Sequence, residues 1–186
     1  MTNIEAVDAS LARRAVYWRG WRIVGWGMAA FLLLLPLVAM QFNDAVDWSA
    51  GDFIFAGVMF AIVGGVLEVA VHSSDRIAYR LGTGIALLAG FLLVWVNGAV
   101  GVIGDEGNPA NLMFGGVLLV AIAGAVGAGR RPAGLARAMA AAALVQLAIG
   151  AVAFGADRAV LPVTVLFVLM WLTAALLFRA AATADQ

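Results

Sequence analysis

The sequence predicts an all-α membrane protein, a polytopic bundle of six transmembrane helices with both termini in the cytoplasm. Of its 186 residues, 65% are hydrophobic and only 12% are charged, and the mean hydropathy is +1.03. A soluble domain is about half apolar and about a quarter charged. Six apolar segments are each long enough, at about 1.5 Å per residue, to cross about 30 Å of hydrocarbon.

The chain begins with a predicted cytoplasmic interfacial segment, residues 1–22. Apolar and aromatic residues recur there at near-helical spacing: Val7, Leu11, Trp18 and Trp21. Four arginines stand between or beside them, so the pattern predicts an amphipathic helix along the cytoplasmic headgroups. The alternative is a tail that is anchored only by its aromatic residues. A cleaved signal peptide is not expected, because the apolar stretch after Arg22 is too long.

A six-helix transmembrane domain, residues 23–179, follows, and a short tail, residues 180–186, closes the chain. The predicted spans lie near 23–41, 53–72, 81–103, 111–129, 138–156 and 161–178. The breaks between them are short and polar. The smallest break, at Asp157 and Arg158, precedes Pro162, which suits the start of a helix because a first-turn N–H needs no partner.

The arginines predict the orientation. All eleven cations are Arg, and ten of them fall in segments that alternate onto one side of the membrane; only Arg158 falls on the other. The positive-inside rule therefore places both termini in the cytoplasm. The outer loops carry six acids and one arginine, so the net charge of zero is an average over two unlike faces.

Missing residue types exclude several kinds of chemistry. The chain has no Cys and no Lys, and it has one His. Thiolate metal sites, iron–sulfur clusters and Schiff bases are therefore excluded. No cofactor and no enzymatic activity are expected. The arginines are dispersed over short turns, so no nucleic acid is expected as a partner. The expected partner is the lipid bilayer, and the scaffold hypothesis adds a second copy or another membrane protein.

Stripes of small residues predict how the helices pack, because membrane helices associate through close contacts at such residues. The second span carries Gly57, Ala61 and Gly65, and the third carries Gly82, Ala86 and Gly90. We expect these two stripes to form a tight antiparallel contact. The fifth span carries a further stripe, formed by Ala138, Ala142, Gln146 and Gly150.

Four polar residues within or at the ends of spans are candidates for an ion or solute pathway: Glu68, His72, Asn97 and Gln146. An intramembrane polar group is a functional candidate by default. Glu68 lies about one turn from the cytoplasmic end of its helix, however, where a carboxylate needs a cation. A structural ion pair with His72, or with Arg76 or Arg80, is the alternative and favoured interpretation for Glu68.

The outer side holds a cluster of acidic and amide side chains: Asp44, Asp47, Asp52, Asp105, Glu106, Asn108 and Asn111. Oxygen ligands suit Ca²⁺ or Mg²⁺, and an acidic mouth also concentrates cations in general. Which metal, if any, the cluster would hold is open. Helix capping is the competing interpretation for Ser49 with Asp52 and for Asn108 before Pro109.

Residues 95–111 read Trp-Val-Asn-Gly-Ala-Val-Gly-Val-Ile-Gly-Asp-Glu-Gly-Asn-Pro-Ala-Asn. This run resembles the W-x-N-x-A-V-G-x-I-G-x-E-x-N-P-A-N signature of an uncharacterised family of small polytopic bacterial inner-membrane proteins. The resemblance implies an inner-membrane location and points to Asn97, Glu106, Asn108 and Asn111. It implies no activity, substrate or cofactor.

Two functions fit these observations. The first is a small channel or transporter for a cation or polar solute, with an acidic outer vestibule that leads to Asn97 and, further inward, to Glu68. The second is a non-catalytic scaffold, either a subunit of a membrane complex or a homo-oligomer, because the loops are short and the small-residue stripes favour helix association.

Overall fold

The computed structural model describes residues 3–155 and 157–183, and all regular secondary structure within them is helical. The helices are α1 (Asn3–Ala39), α2 (Ala50–Ser73), α3 (Ile77–Ala99), α4 (Met113–Ala128), α5 (Pro132–Phe154) and α6 (Val160–Thr183). A single 3₁₀ turn, Pro109–Leu112, leads into α4. Six helical segments are long and apolar enough to cross a membrane, which confirms the predicted all-α class and number of spans.

Helix α1 is one continuous helix of 37 residues, Asn3–Ala39, which joins most of the predicted interfacial segment to most of the first predicted span. Its candidate membrane-spanning part is Gly20–Ala39. The amphipathic prediction depends on Val7, Leu11 and Trp18, whose side chains lie outside the described part. Pro36 stands in the last turn of α1 and has no N–H, so the helical hydrogen bond to the Leu32 carbonyl is absent there.

The bounds of helices α2 to α6 differ from the predicted ones by one to six residues, and two of these differences have a local cause. Helix α3 ends at Ala99, four residues before the predicted end at 103, although Val100, Val102 and Ile103 are apolar. The chain turns there because Gly101 adopts a φ of +75°, which glycine tolerates and other residues rarely do. Helix α5 starts at Pro132, six residues before the predicted start at 138, with the proline in its first turn.

The chain forms two compact units, Met1–Gly64 and Gly65–Gln186. The first unit contains α1 and the first half of α2. The indole of Trp26 lies against Gly64, where a Cβ would stand 2.9 Å from Cη2 of the ring. At the start of α2, the Ser49 N–H donates to Oδ2 of Asp52 (2.8 Å) and the Asp52 N–H donates to Oγ of Ser49 (3.3 Å), which confirms the predicted capping pair.

The second unit contains the end of α2 and helices α3 to α6. Helix α5 packs extensively against both α4 and α6, and α3 packs against α6, whereas α3 and α4 meet only sparsely. The largest fully buried apolar side chains of this unit are those of Leu93, Phe114, Phe167 and Trp171.

Small residues bring the helices of this second unit close together. A Cβ at Gly124 of α4 would stand 2.7 Å from that of Ala138 on α5, and a Cβ at Gly150 of α5 would overlap the Thr164 side chain on α6. Ala138, Ala142, Gln146 and Gly150 are all buried, which confirms the predicted packing stripe of the fifth span.

The predicted partner of the α3 stripe is wrong. A Cβ at Gly82 would stand 3.3 Å from Leu177 and Phe178 of α6, and one at Gly90 would lie near Leu118 of α4 and Trp171 of α6. A stripe of small residues permits close approach but does not choose a partner, and adjacency in the chain was a poor guide to it.

Candidate functional site

Gln146 is the most unusual buried residue in the packing of helices α3 to α6. It lies on the buried face of α5 with an exposed fraction of 0%, and neither Nε2 nor Oε1 has a hydrogen-bond partner in the described part of the chain. A buried polar group without a partner costs about 1–3 kcal/mol. Such a side chain is kept in a membrane helix chiefly where it has a functional role.

Thr164 faces the same helix pair from α6. Gly150 stands one turn after Gln146 on α5 and touches Thr164, so the two helices approach each other closely there. The Thr164 side chain is buried, and its Oγ1 has no partner among the described residues. By contrast, Thr83 and Thr173 each donate to the carbonyl four residues earlier, at 3.0 and 2.7 Å, as helical threonines commonly do.

Trp171 lies seven residues after Thr164 on the same buried face of α6. Its side chain is 1% exposed, and Nε1 has no hydrogen-bond acceptor within the described ranges. Cη2 of the ring lies 4.0 Å from the position of a Cβ at Gly90, so the ring extends towards α3. A buried indole N–H normally finds an acceptor.

Asn97 is the residue of α3 that lies at about the same height along the helix axes as Thr164 of α6. Its Nδ2 donates to the carbonyl of Leu93 (2.7 Å), whereas its buried Oδ1 accepts no hydrogen bond from any described residue. Gly82 faces Phe178 and Gly90 faces Trp171, so α3 and α6 run antiparallel in register. Seven residues beyond Gly90, Asn97 therefore comes level with Thr164, seven residues before Trp171.

We call Asn97, Gln146, Thr164 and Trp171 the buried polar set. Its unpartnered acceptors are Oδ1 of Asn97 and Oε1 of Gln146, and its unpartnered donors are Nε2 of Gln146 and Nε1 of Trp171. The unpartnered Thr164 hydroxyl can both donate and accept a hydrogen bond. None of these groups carries a formal charge. The arrangement is chemically suited to a small polar molecule that both donates and accepts hydrogen bonds.

Sequence reasoning singled out Asn97 and Gln146 but did not identify Thr164 or Trp171 as site residues. Thr164, Phe167 and Trp171 recur at the spacing of one helix face, and that spacing was a usable signal. The register between α3 and α6, which brings Asn97 to the level of Thr164, depends on tertiary packing and has no local signal.

Asn111 organises the loop between α3 and α4. Its Oδ1 accepts from the N–H groups of Val102 (3.0 Å) and Ile103 (2.8 Å), and its Nδ2 donates to the carbonyls of Ile103 (3.3 Å) and Asp105 (2.7 Å). The Asn111 side chain is 7% exposed and satisfied on both sides of the amide. This geometry gives Asn111 a structural role.

Asn108 begins the 3₁₀ turn before α4, with Oδ1 accepting from the N–H of Ala110 at 3.0 Å. Pro109 follows at the first position of the turn. The predicted cap is thereby confirmed.

The predicted outer acids fall in both units. Asp44, Asp47 and Asp52 belong to the first unit, and the exposed Asp105 and Glu106 belong to the second. Asp52 serves the α2 cap. Within the residues that the structure describes, no three His, Asp or Glu side chains lie close enough to hold a metal ion.

Glu68 and His72 lie in the last turn and a half of α2, at the end of the second unit where α3 begins. Nδ1 of the exposed His72 pairs with the backbone carbonyl of Glu68 at 2.6 Å. Asn97 stands near the other end of α3, about 30 Å away along a helix of 23 residues. The predicted pathway residues therefore fall at two separate levels.

The arginines at this end bind main-chain carbonyls. Arg80 donates to the carbonyls of Ser74 (2.8 Å) and Val71 (3.1 Å) and pairs with Asp75 (2.9 Å), and Arg76 donates to the carbonyl of Ala181. Arg80 thus satisfies the C-terminal carbonyls of α2, and Arg76 joins the start of α3 to the end of α6. These contacts are structural.

Comparison with known proteins identifies no relative: no protein-family model, curated protein or solved structure matches this chain.

Proposed function

We propose that this protein is a small channel or transporter that moves a cation or small polar solute across a bacterial inner membrane. The observation that carries the proposal is the fully buried Gln146, whose amide has no protein partner among the described residues. A bound solute or water would supply the missing hydrogen bonds. No catalytic step is part of the proposal.

The charge distribution supports an orientation with the N- and C-termini in the cytoplasm. Ten of eleven arginines then face inward, as the positive-inside rule requires. The buried polar set would lie in the outer half of the membrane. Exposed Asp105 and Glu106 on the α3–α4 loop would give the outer face a negative potential that attracts cations.

A flux assay in proteoliposomes tests the proposal. Purified protein is reconstituted, and the entry of K⁺, Na⁺, urea and glycerol is measured at several pH values. We expect the protein to increase the entry of at least one of these solutes over protein-free vesicles. Entry rates equal to those of protein-free vesicles for all four solutes would contradict the proposal. Glu68→Gln should change the flux or its pH dependence if this carboxyl belongs to the pathway.

A second candidate, a scaffold or homo-oligomer, is favoured by the apolar surface of the first unit. In Gly20–Ala39, no residue of the apolar window is buried within the described structure, compared with 39% in α5. Native mass measurement after extraction in mild detergent tests this candidate. A stable dimer or larger complex would support it, and a monomer under every extraction condition would contradict it.

A further inference from the structure

The buried polar set has the chemistry of a recognition site for a neutral solute. We infer that it binds a small uncharged molecule of the urea or simple amide class in preference to a cation. This inference rests on the proposed transport function and names the class of its solute.

The first argument is complementarity of hydrogen bonds. Urea and small amides carry one carbonyl acceptor and one or two NH₂ donors. The Gln146 amide offers an adjacent donor and acceptor, which pair with another amide through two hydrogen bonds. Nε1 of Trp171 supplies a further donor for a carbonyl, and Oδ1 of Asn97 and Oγ1 of Thr164 supply acceptors for NH₂ groups.

The second argument concerns charge. A dehydrated cation needs carboxylates or a ring of oxygens around it, because the loss of hydration is expensive in a medium of low dielectric constant. The buried polar set has no carboxylate, and its N–H groups on Gln146 and Trp171 present positive ends that repel a cation. A neutral solute meets neither obstacle.

The third argument is size. The contact of Gly150 with Thr164 bounds the set at one end, and the contact of Trp171 with Gly90 bounds it at the other. Seven residues of α6 separate these two levels, a rise of about 10 Å. Gln146 projects from α5 between them. The unpartnered groups are thus spread over about 10 Å of helix length, which limits the length of a single ligand that contacts all of them.

Nuclear magnetic resonance of the side-chain amides measures binding independently of transport. The chain has three glutamines, Gln41, Gln146 and Gln186, so selective ¹⁵N-glutamine labelling gives few signals. The Gln146 signal is assigned by its loss in Gln146→Leu. Titration with urea and with acetamide should shift this signal with saturation, whereas K⁺ at the same concentration and ionic strength should not.

A matched pair of threonine variants tests the site in the flux assay. Thr164→Val removes the unpartnered buried hydroxyl without changing the volume much, and Thr173→Val removes an exposed hydroxyl that is bonded within its own helix. We expect urea entry to fall at least fivefold in Thr164→Val and in Gln146→Leu. In Thr173→Val it should remain within a factor of two of the unmodified protein.

The outcomes separate the inference from the proposed function. If Gln146→Leu abolishes a cation flux, the transport function stands and the inference is overturned. The same holds if Thr164→Val and Gln146→Leu both leave the flux of neutral solutes unchanged. A saturable shift of the Gln146 signal without any flux would support the binding site and overturn transport. The absence of both shift and flux would overturn both.

Discussion

Asn111 and Gln146 are two buried amides in the same compact unit with opposite surroundings. Asn111 makes four hydrogen bonds to the main chain of its own loop, and Gln146 makes none with any described residue. Burial of an amide in a membrane protein is therefore not by itself a sign of function. The state of its hydrogen bonds distinguishes a structural amide from one that awaits a ligand.

The backbone around each amide explains the difference. The loop that contains Gly101 and Gly104 is irregular, so its N–H and carbonyl groups are free to meet Asn111. Gln146 stands in a regular helix whose backbone groups already bond to one another. Its partner must therefore come from another helix or from a bound molecule.

The largest expected effect is that of Asn111→Leu. The substitution removes the acceptor for two buried N–H groups, those of Val102 and Ile103, and each costs about 1–3 kcal/mol when left unpaired. We expect the free energy of unfolding in detergent to fall by about 4 kcal/mol. Asn108→Ala, which removes one cap contact, is the control and should cost about 1 kcal/mol. Equal losses in the two variants would refute the structural role of Asn111.

The next effect tests how tightly α5 and α6 are held beside Gln146. In Gly150→Leu the new side chain overlaps Thr164 and forces the helices apart, so the unfolding free energy should fall by about 2 kcal/mol. Gly127→Leu on α4 is the control, because a Cβ at Gly127 meets no described atom within 4 Å. If thermal unfolding of the two variants coincides, the close approach at Gly150 is not important for stability.

Gln146→Leu is the most direct test of the difference between Gln146 and Asn111. If a solute or water now satisfies the amide, Leu loses those bonds and gains apolar contacts, so the unfolding free energy should change by less than about 1 kcal/mol. A dry, unpartnered amide would instead make Leu stabilising by about 2 kcal/mol or more. Chemical unfolding in detergent micelles, compared with Asn111→Leu, distinguishes these cases.

Asn97→Leu should have the smallest effect on stability, because Asn97 combines features of both amides. Its Nδ2 is bonded to Leu93 and its Oδ1 is not bonded to a described residue. The Leu93 carbonyl retains its place in the helix without Asn97, so we expect a change of about 0.5 kcal/mol. Solute entry should nevertheless fall. A variant with unchanged flux would remove Asn97 from the site.

The positions of the helices could be predicted from the sequence, whereas the helices that pack against one another could not. Hydropathy predicts six apolar segments because each must cover a membrane thickness by itself, and the caps at Ser49 with Asp52 and at Asn108 have local signals. The partner of the α3 stripe has none, since Gly82 and Gly90 would suit any smooth helix surface.

Some residues of the candidate site could likewise be predicted from the sequence, and others could not. Gln146 and Asn97 are visible in the sequence as amides within apolar spans. Thr164 is not, because a threonine in a membrane helix usually bonds to its own backbone, as Thr173 does. Asn111 stood out through its motif, but its four bonds required the fold of the loop.

The Asn111 contacts also bear on the order in which the chain assembles. All four join residues no more than nine positions apart, so they form with little loss of chain entropy, whereas the contacts of α3 with α6 join residues about ninety positions apart. Helices α3 and α4 make few contacts with each other, yet the Asn111 loop ties their ends together. During synthesis, this loop would join them into a hairpin before α6 emerges to provide the packing surface that α3 finally occupies.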